Sequence, residues 1–189
     1  MSTVEFIKAA LKNPMQISTV FQTSPWLCEA LLKNVDVEAA KLILELGPGA
    51  GAVTEPLLKR MKVDSKYVGI ELNSSLVSYL HKNYPGRDFV EGSAEMANDV
   101  AAKHGPIDAV VSSLPWTIFP GEVQEKIITS VHSSLREGGV FVTYVCLNAS
   151  IYPAAKNLKR LLDDNFNNVH KGPVEWRNIP PAFVYTCTK

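Results

Sequence analysis

A glycine-rich turn that directly follows a short apolar run constrains the fold of this chain more than any other feature. Residues 42–46 read Leu-Ile-Leu-Glu-Leu, and the turn after them places glycines at Gly47, Gly49 and Gly51. A buried strand that runs into such a turn and then into a helix lets a ligand approach the backbone at the carboxyl end of the strand, beside a helix N-terminus. The turn therefore predicts an α/β fold with a ligand site at one edge of its sheet.

Apolar runs and helical patterns alternate along most of the remaining chain. Strands are predicted at 42–46, 67–71, 88–91, 109–112 and 140–146, and helices near 54–61, 75–83, 94–103, 122–135 and 153–165. Strands that are apolar on both faces and separated by helices indicate a parallel sheet covered on both sides. The last two runs, 169–177 and 182–188, have only four residues between them, so we expect them to pair antiparallel at the sheet edge.

The composition argues against several classes of protein. Lysine and arginine together number 19, as do aspartate and glutamate, and this balance disfavours a strongly basic surface for DNA or RNA. No apolar run approaches the roughly 18 residues that would cross a bilayer. The three cysteines and four histidines show no metal-ligand or disulfide spacing, so we expect no metal site. These features predict a cytoplasmic protein.

The first 36 residues are predicted to form an N-terminal helical segment ahead of a catalytic domain at 37–189. A helix is expected over 4–13, ended by Pro14, and its apolar arc lies opposite Lys8 and Lys12. Such a helix could bind an anionic membrane surface reversibly, as a peripheral protein does. Alternatively, it could pack over the mouth of the ligand site, and the residues leave both possibilities open.

The glycine turn alone fits more than one kind of cofactor site. Residues 47–52 also match the G-x-G-x-x-A pattern of dinucleotide-binding proteins. Glu71 ends the next predicted strand, where its carboxylate could accept hydrogen bonds from both ribose hydroxyls of a nucleoside. Glu45, two residues before Gly47, would repel a pyrophosphate but could help hold a cationic amino group. These acids favour a cationic nucleoside cofactor over a nicotinamide dinucleotide or a purely structural turn.

The pattern Glu45-x-Gly47-x-Gly49-x-Gly51 resembles motif I of the class I S-adenosylmethionine-dependent methyltransferases, and Glu71 matches their ribose-binding acid. The resemblance implies a three-layer, Rossmann-like α/β fold, with a seven-stranded, mostly parallel sheet that ends in an antiparallel hairpin. It implies S-adenosyl-L-methionine as the cofactor. Further expected cofactor contacts are Leu72, Ser93, Ala94 and Ser112. Ser93 stands where the family more often has aspartate, and it could instead cap the helix that follows.

The segment Ser113-Leu114-Pro115-Trp116 follows the fourth predicted strand and resembles motif IV of amino-group methyltransferases. The resemblance implies that a side-chain oxygen and a backbone carbonyl of this loop accept hydrogen bonds from the target amine, with an aromatic ring beside it. Ser113 replaces the asparagine of the similar rRNA adenine dimethyltransferases, which favours a simpler amine. The alternatives are a turn hydroxyl for Ser113 and a core aromatic for Trp116.

A longer resemblance links the chain to bacterial phospholipid N-methyltransferases. It covers residues 6–14, 45–51, 112–116 and 176–185, the last reading Trp-Arg-Asn-Ile-Pro-Pro-Ala-Phe-Val-Tyr. This implies methyl transfer to the amine of phosphatidylethanolamine, with its mono- and dimethyl derivatives as further candidate acceptors. Tyr144 is expected to line the substrate pocket, and Arg177 and Asn178 to hold a lipid phosphate. An RNA adenine or protein amine methyltransferase and a non-catalytic cofactor-binding protein are the alternatives.

Overall fold

A seven-stranded sheet forms the centre of the structure, a computed structural model that describes residues 23–189. Its strands are β1 (Leu42–Leu46), β2 (Lys66–Glu71), β3 (Asp88–Glu91), β4 (Ile107–Ser112), β5 (Leu135–Cys146), β6 (Asn168–Glu175) and β7 (Ala182–Thr188). Their order across the sheet is β3-β2-β1-β4-β5-β7-β6. Pairing is parallel from β3 through β5, whereas β7 runs antiparallel to both β5 and β6. The predicted sheet and its C-terminal hairpin are confirmed.

Six α-helices of the described residues connect the strands. They are α1 (Pro25–Leu32), α2 (Thr54–Arg60), α3 (Ser74–Asn83), α4 (Ala97–His104), α5 (Gly121–Ser134) and α6 (Pro153–Asn165). The prediction of one helix over 94–103 was wrong in its first turn: residues Ala94–Met96 form a 3₁₀ turn, and the α-helix begins only at Ala97. The Ser93 side chain caps this tight turn by accepting a hydrogen bond from the Glu95 N–H.

The sheet is buried between two layers of helices. All five residues of β1 are buried, and they alternate between the two faces: Leu44 and Leu46 join the apolar cluster with α4, α5 and α6, whereas Ile43 joins the cluster with α1, α2 and α3. A strand that is apolar on both sides can be accommodated only where both faces are covered. The three-layer α/β architecture expected from the sequence is therefore confirmed.

Residues 1–22 are not described by the structure, so the predicted helix at 4–13 and its membrane-facing arc lie outside the described residues. Helix α1 begins at Pro25, with the Ser24 side chain accepting a hydrogen bond from the Leu27 N–H and the proline in the first turn. None of the described helices has the length and apolar character needed to cross a membrane. The boundary between an N-terminal segment and a domain from residue 37 stays a prediction.

Candidate functional site

A cavity of about 850 Å³ opens at the carboxyl edge of the sheet. It lies where the strand order reverses, between β1 and β4, which is the position at which open α/β sheets bind ligands. The glycine turn, the residues after β2, β3 and β4, the end of β5, the start of α1 and the connection between β6 and β7 all contribute to its walls. The cavity thus joins most of the segments that the sequence singles out.

The glycine turn forms one wall because its backbone takes conformations that other residues rarely adopt. Gly47, Gly49 and Gly51 have φ angles of +71°, +58° and +91°. A Cβ atom on Gly51 would lie 2.5 Å from the Tyr84 hydroxyl oxygen, and one on Gly47 would lie 2.9 Å from Leu114 Cδ2. The position of a Cβ on Gly49 is open space. Tyr84 and Leu114 therefore leave no room for a side chain at Gly51 and Gly47, whereas the backbone at Gly49 is open to a ligand.

Glu71 stands at the end of β2 and lines the cavity, as does Leu72. Its carboxylate accepts hydrogen bonds from the Gly49 N–H at 3.1 Å and the Asn73 N–H at 2.9 Å. Burial raises the pKa of this carboxyl, an effect that the backbone hydrogen bonds oppose. The carboxylate is thus fixed beside the glycine turn, in the place expected for an acid that reads ribose hydroxyls.

The Glu45 side chain on β1 is buried and forms its hydrogen bonds within the protein. It is 0% exposed and stands outside the cavity lining. One carboxylate oxygen accepts hydrogen bonds from the Tyr67 hydroxyl at 2.6 Å and the Thr54 hydroxyl at 2.8 Å, and the other has no partner among the described residues. Burial raises the pKa of this carboxyl to about 7. Glu45 therefore links β1 to β2 and to the start of α2, and its contact with the amino group of the cofactor stays a prediction.

Three further expected cofactor contacts lie at the ends of β3 and β4. The two that follow β3 line the cavity, and the one that ends β4 does not. Ser93 and Ala94 both line the cavity, although the Ser93 hydroxyl is engaged in capping. Ser112 is fully buried outside the lining, and its hydroxyl oxygen accepts a hydrogen bond from the Leu114 N–H at 3.4 Å. The Ser112 side chain thus faces the loop backbone, and its contact with the cofactor stays a prediction.

The loop of residues 113–116, which follows β4, is hydrogen-bonded to the end of β1 beside the cavity. The Ser113 N–H donates to the Leu46 carbonyl at 3.0 Å, and Ser113, Leu114 and Pro115 all line the cavity. The Ser113 hydroxyl oxygen is buried and has no hydrogen-bond partner within residues 23–189. A buried hydroxyl without a partner costs free energy, so this oxygen is a candidate to bind a ligand group.

Trp116 also contributes to the cavity wall, but its ring belongs to the core. The side chain is 1% exposed, and its indole N–H donates to the Thr143 hydroxyl at 2.7 Å. Phe119 and Phe141 pack edge-on against the ring. The ring thus packs in the core while Trp116 still lines the cavity, and its place beside the acceptor amine stays a prediction.

The expected substrate residues of the C-terminal connection are occupied by contacts within the chain. Arg177 lines the cavity, but its guanidinium forms a paired hydrogen bond with Glu175 at 2.8 and 2.9 Å and lies 5.2 Å from the centre of the Trp26 ring. Asn178 is 3% exposed; it accepts a hydrogen bond from the Ser24 N–H and donates one to the Pro180 carbonyl. Asn178 thus joins this connection to the start of α1, and its contact with a lipid phosphate stays a prediction.

Tyr144, the third expected substrate residue, lines the cavity near the end of β5. Its hydroxyl oxygen accepts a hydrogen bond from the Thr23 hydroxyl at 3.4 Å. Burial raises the pKa of this phenol. Tyr144 therefore presents a neutral ring and hydroxyl to the cavity.

Helices contribute parts of the cavity wall that were not predicted from the sequence. Thr23, Ser24 and Pro25 line the cavity at the start of α1, and Leu76 and Tyr79 do so from α3. The only sequence signal for the second pair is their spacing of three residues, which places them on one helix face. That spacing is equally typical of a core contact, so only the packing of the helices identifies them.

Comparisons with known proteins agree with this geometry. Residues 43–139 match a family model described as a methyltransferase domain. An ornithine lipid N-methyltransferase from Singulisphaera acidiphila is 28% identical over 187 residues, which cover 96% of this chain and 93% of that protein. A probable ribosomal RNA small subunit methyltransferase A from Methanosarcina acetivorans is 42% identical over 87 residues, but the match covers only 46% of this chain and 30% of that protein.

Solved structures share the fold at low sequence identity. An O-methyltransferase from Bacillus cereus in complex with SAH superposes with a TM-score of 0.69 at 16% identity, over 96% of this chain and 91% of that one. Magnesium protoporphyrin IX methyltransferase from Synechocystis PCC 6803 with bound SAM gives a TM-score of 0.72 at 10% identity, over 100% and 98% of the two chains. The fold of the whole chain, and not only the glycine turn, is therefore similar to that of these methyltransferases.

Proposed function

Because the chain belongs to the methyltransferase domain family and uses S-adenosylmethionine as its cofactor, we propose that it transfers methyl groups to the primary amine of a membrane lipid, phosphatidylethanolamine. The cofactor supplies a methyl group on a positively charged sulfur. The residues of this chain supply the binding of the nucleoside and the alignment of the amine.

The glycine turn and Glu71 suit the nucleoside part of the cofactor. Gly49 has open space where a side chain would stand, and the Glu71 carboxylate lies beside it. A carboxylate accepts two hydrogen bonds from neighbouring hydroxyls readily, because it has two oxygens and no proton to donate. We therefore assign ribose binding to Glu71 and contact with the rest of the nucleoside to the backbone around Gly47, Gly49, Gly51 and Ala94.

The Ser113 hydroxyl suits the amine. Ser113 lines the cavity, and its buried hydroxyl oxygen has no hydrogen-bond partner within the described residues; rotation of this side chain toward the cavity would let it accept a hydrogen bond from an acceptor amine. Such a bond directs the nitrogen lone pair toward the methyl carbon. Correct positioning of two reactants can supply roughly 7 to 11 kcal/mol of a reaction barrier. The loop backbone at Leu114 and Pro115 supports this alignment from the same side of the cavity.

The observation that carries the lipid proposal is the placement of exposed apolar side chains. Eight large apolar side chains are exposed in the part of the chain that the structure describes. Seven of them lie at the carboxyl edge of the sheet or on the cavity wall: Trp26, Tyr79, Ile118, Ile151, Tyr152, Trp176 and Ile179. The eighth, Val63, lies at the opposite edge. Exposed apolar groups gathered around a cavity mouth fit docking on a lipid surface.

The relative from Singulisphaera acidiphila supports the same class of acceptor, because its name specifies a lipid amine and its match spans nearly the full length of both chains. Phosphatidylethanolamine and ornithine lipid both offer a primary amine near the membrane surface. The two lipids are therefore tested as separate methyl acceptors in the transfer of a labelled methyl group.

Replacing two exposed residues of the cavity edge is expected to weaken the use of membrane-bound substrate. The pair is Ile151→Ser with Trp176→Ser; the two side chains are 71% and 68% exposed, and neither lines the cavity. Because partial burial of each side chain in lipid contributes about 1 kcal/mol, we expect KM for phosphatidylethanolamine in vesicles to rise about tenfold or more. The measurement is methyl transfer as a function of vesicle concentration.

The matched control is Val63→Ser, at the opposite edge, where the side chain is 99% exposed. Its KM for vesicles should stay within twofold of the wild-type value. Activity of the double variant on a dispersed short-chain phosphatidylethanolamine should also be unchanged. Equal KM values for the double variant and the wild type would show that the carboxyl edge of the sheet does not dock on the vesicle surface.

A further inference from the structure

A second, smaller cavity lies on the sheet face that carries α6, between this helix and the hairpin of β6 and β7. Its volume is about 280 Å³, and three of its eight lining residues are lysines: Lys156, Lys159 and Lys171. The other lining residues are Val145, Ser150, Ala155, Phe183 and Tyr185. No acidic residue within residues 23–189 lines it. We call this cavity the lysine cleft; it touches the large cavity only through the shared wall residue Val145.

Lys171 is held in the cleft by an aromatic ring. Its ammonium nitrogen lies 3.9 Å from the centre of the Phe183 ring. The strand register between β6 and β7 shifts after Lys171, which pairs with Tyr185 before the irregularity. Bulges of this kind redirect side chains at sheet edges. No carboxylate of the described residues forms an ion pair with Lys171, so its charge is available to an anion.

The opposite wall of the cleft adds a second available charge. Lys156, in the first turns of α6, forms no ion pair with a carboxylate within residues 23–189, whereas Lys159 pairs with Asp163 at 2.5 Å. The Tyr185 hydroxyl has no hydrogen-bond partner in the described chain and can donate to a ligand. The cleft thus combines two available ammonium groups, a hydroxyl donor and the apolar side chains of Val145 and Phe183.

We infer that the lysine cleft binds the phosphate group of a phosphate ester. Ammonium groups bind phosphate oxygens through charge-assisted hydrogen bonds. Lys156 and Lys171 are both exposed, so the attraction rests on two cations acting on one phosphate. A neutral ligand would leave two like charges unbalanced across the cleft. The ester comes either from the headgroup of an anionic lipid or from a soluble phosphate ester. The cleft opens near the exposed residues Ile151 and Tyr152 at the edge proposed to meet the membrane.

The site can be tested without cofactor or methyl acceptor, so the result does not depend on the proposed methyl transfer. The full chain is treated with a lysine-methylating reagent, and the modification of each lysine is followed by mass spectrometry. Three probes are used: glycerol 3-phosphate, phosphatidylcholine vesicles, and phosphatidylcholine vesicles that contain phosphatidylglycerol. We expect glycerol 3-phosphate, the phosphatidylglycerol vesicles or both to slow modification of Lys156 and Lys171, and phosphatidylcholine alone to have no effect.

A pair of variants measures the contribution of the cleft to affinity. Lys156→Gln with Lys171→Gln should weaken binding of the protective probe by about tenfold or more. The control, Lys33→Gln with Lys62→Gln, removes the same charge from exposed positions outside the cleft, and its affinity should stay within twofold. Protection by the vesicles alone identifies a lipid source, and protection by glycerol 3-phosphate alone identifies a soluble one. The inference is overturned if no probe protects the cleft lysines more than Lys33 and Lys62, or if both double variants lose affinity equally.

Discussion

Replacing Gly51 by valine is expected to lower the affinity for S-adenosylmethionine at least a hundredfold. Gly51 has a φ of +91°, which costs a residue with a side chain about 1–3 kcal/mol. Its new Cβ would also lie 2.5 Å from the Tyr84 hydroxyl oxygen, so the turn or the ring must move. Either movement displaces the backbone that faces the nucleoside, and about 2.7 kcal/mol is a hundredfold in affinity. Calorimetric titration of the cofactor measures the effect.

Gly86→Val is the matched control for this change. Gly86 has a φ of +78°, but a Cβ there would meet nothing within 4 Å, and the residue does not line the cavity. The valine should lower the free energy of unfolding through backbone strain while the affinity for the cofactor stays within twofold. Affinity for the cofactor within threefold of wild type in Gly51→Val would show that the turn does not carry the cofactor site.

Trp116→Ala is expected to destabilise the fold by about 3–5 kcal/mol, the range measured for truncating large buried aromatic side chains. The ring fills the space between Phe119 and Phe141, and its N–H satisfies the Thr143 hydroxyl. Alanine would leave a cavity and remove one of the two hydrogen bonds of the buried Thr143 hydroxyl, which would keep only its bond to the Ser112 carbonyl. Since domains of this size are stable by only about 5–15 kcal/mol, much of the margin would be lost. Urea denaturation followed by circular dichroism measures the change.

Two further variants compare the stability lost when a buried tryptophan keeps a ring with that lost when an exposed tryptophan is removed. Trp116→Phe keeps a ring in the core and loses the hydrogen bond to Thr143, so it should cost only about 1–2 kcal/mol. Trp176→Ala removes a side chain that is 68% exposed and should cost less than about 0.5 kcal/mol. If Trp116→Ala kept wild-type stability and lost only turnover, the ring would act on the acceptor and not in the core.

The sheet could be predicted from the sequence because its strands carry local signals. The run Leu42–Leu46 is apolar at every position except Glu45, and the glycine turn marks where it ends. The short link between residues 177 and 182 is enough to exclude a parallel crossover. The start of α4 was less predictable, because a serine cap suits a 3₁₀ turn as well as an α-helix.

The site was predictable only where it rests on backbone geometry. Gly47, Gly49, Gly51 and Glu71 lie in the cavity wall, since a turn and a strand end fix their positions. The direction of a side chain depends instead on distant partners. Asn178 accepts a hydrogen bond from the N–H of Ser24, 154 residues away in the chain. Glu45 accepts hydrogen bonds from the hydroxyls of Tyr67 and Thr54. No local pattern reveals such partners, so the sequence could not show that both side chains already form hydrogen bonds within the chain, and their assignment to ligands stays a prediction.

The acceptor itself is the central question, and transfer of a labelled methyl group tests it most directly. The full chain is incubated with S-adenosylmethionine labelled in the methyl group and, in separate reactions, with vesicles of phosphatidylethanolamine, vesicles of ornithine lipid and unmodified ribosomal RNA. We predict label in phosphatidylethanolamine, identified as the N-methyl product by mass spectrometry, and none in RNA. Label in ornithine lipid alone would keep the lipid class and change the headgroup. Label in RNA alone, or cofactor binding without label in any lipid, would contradict the proposal.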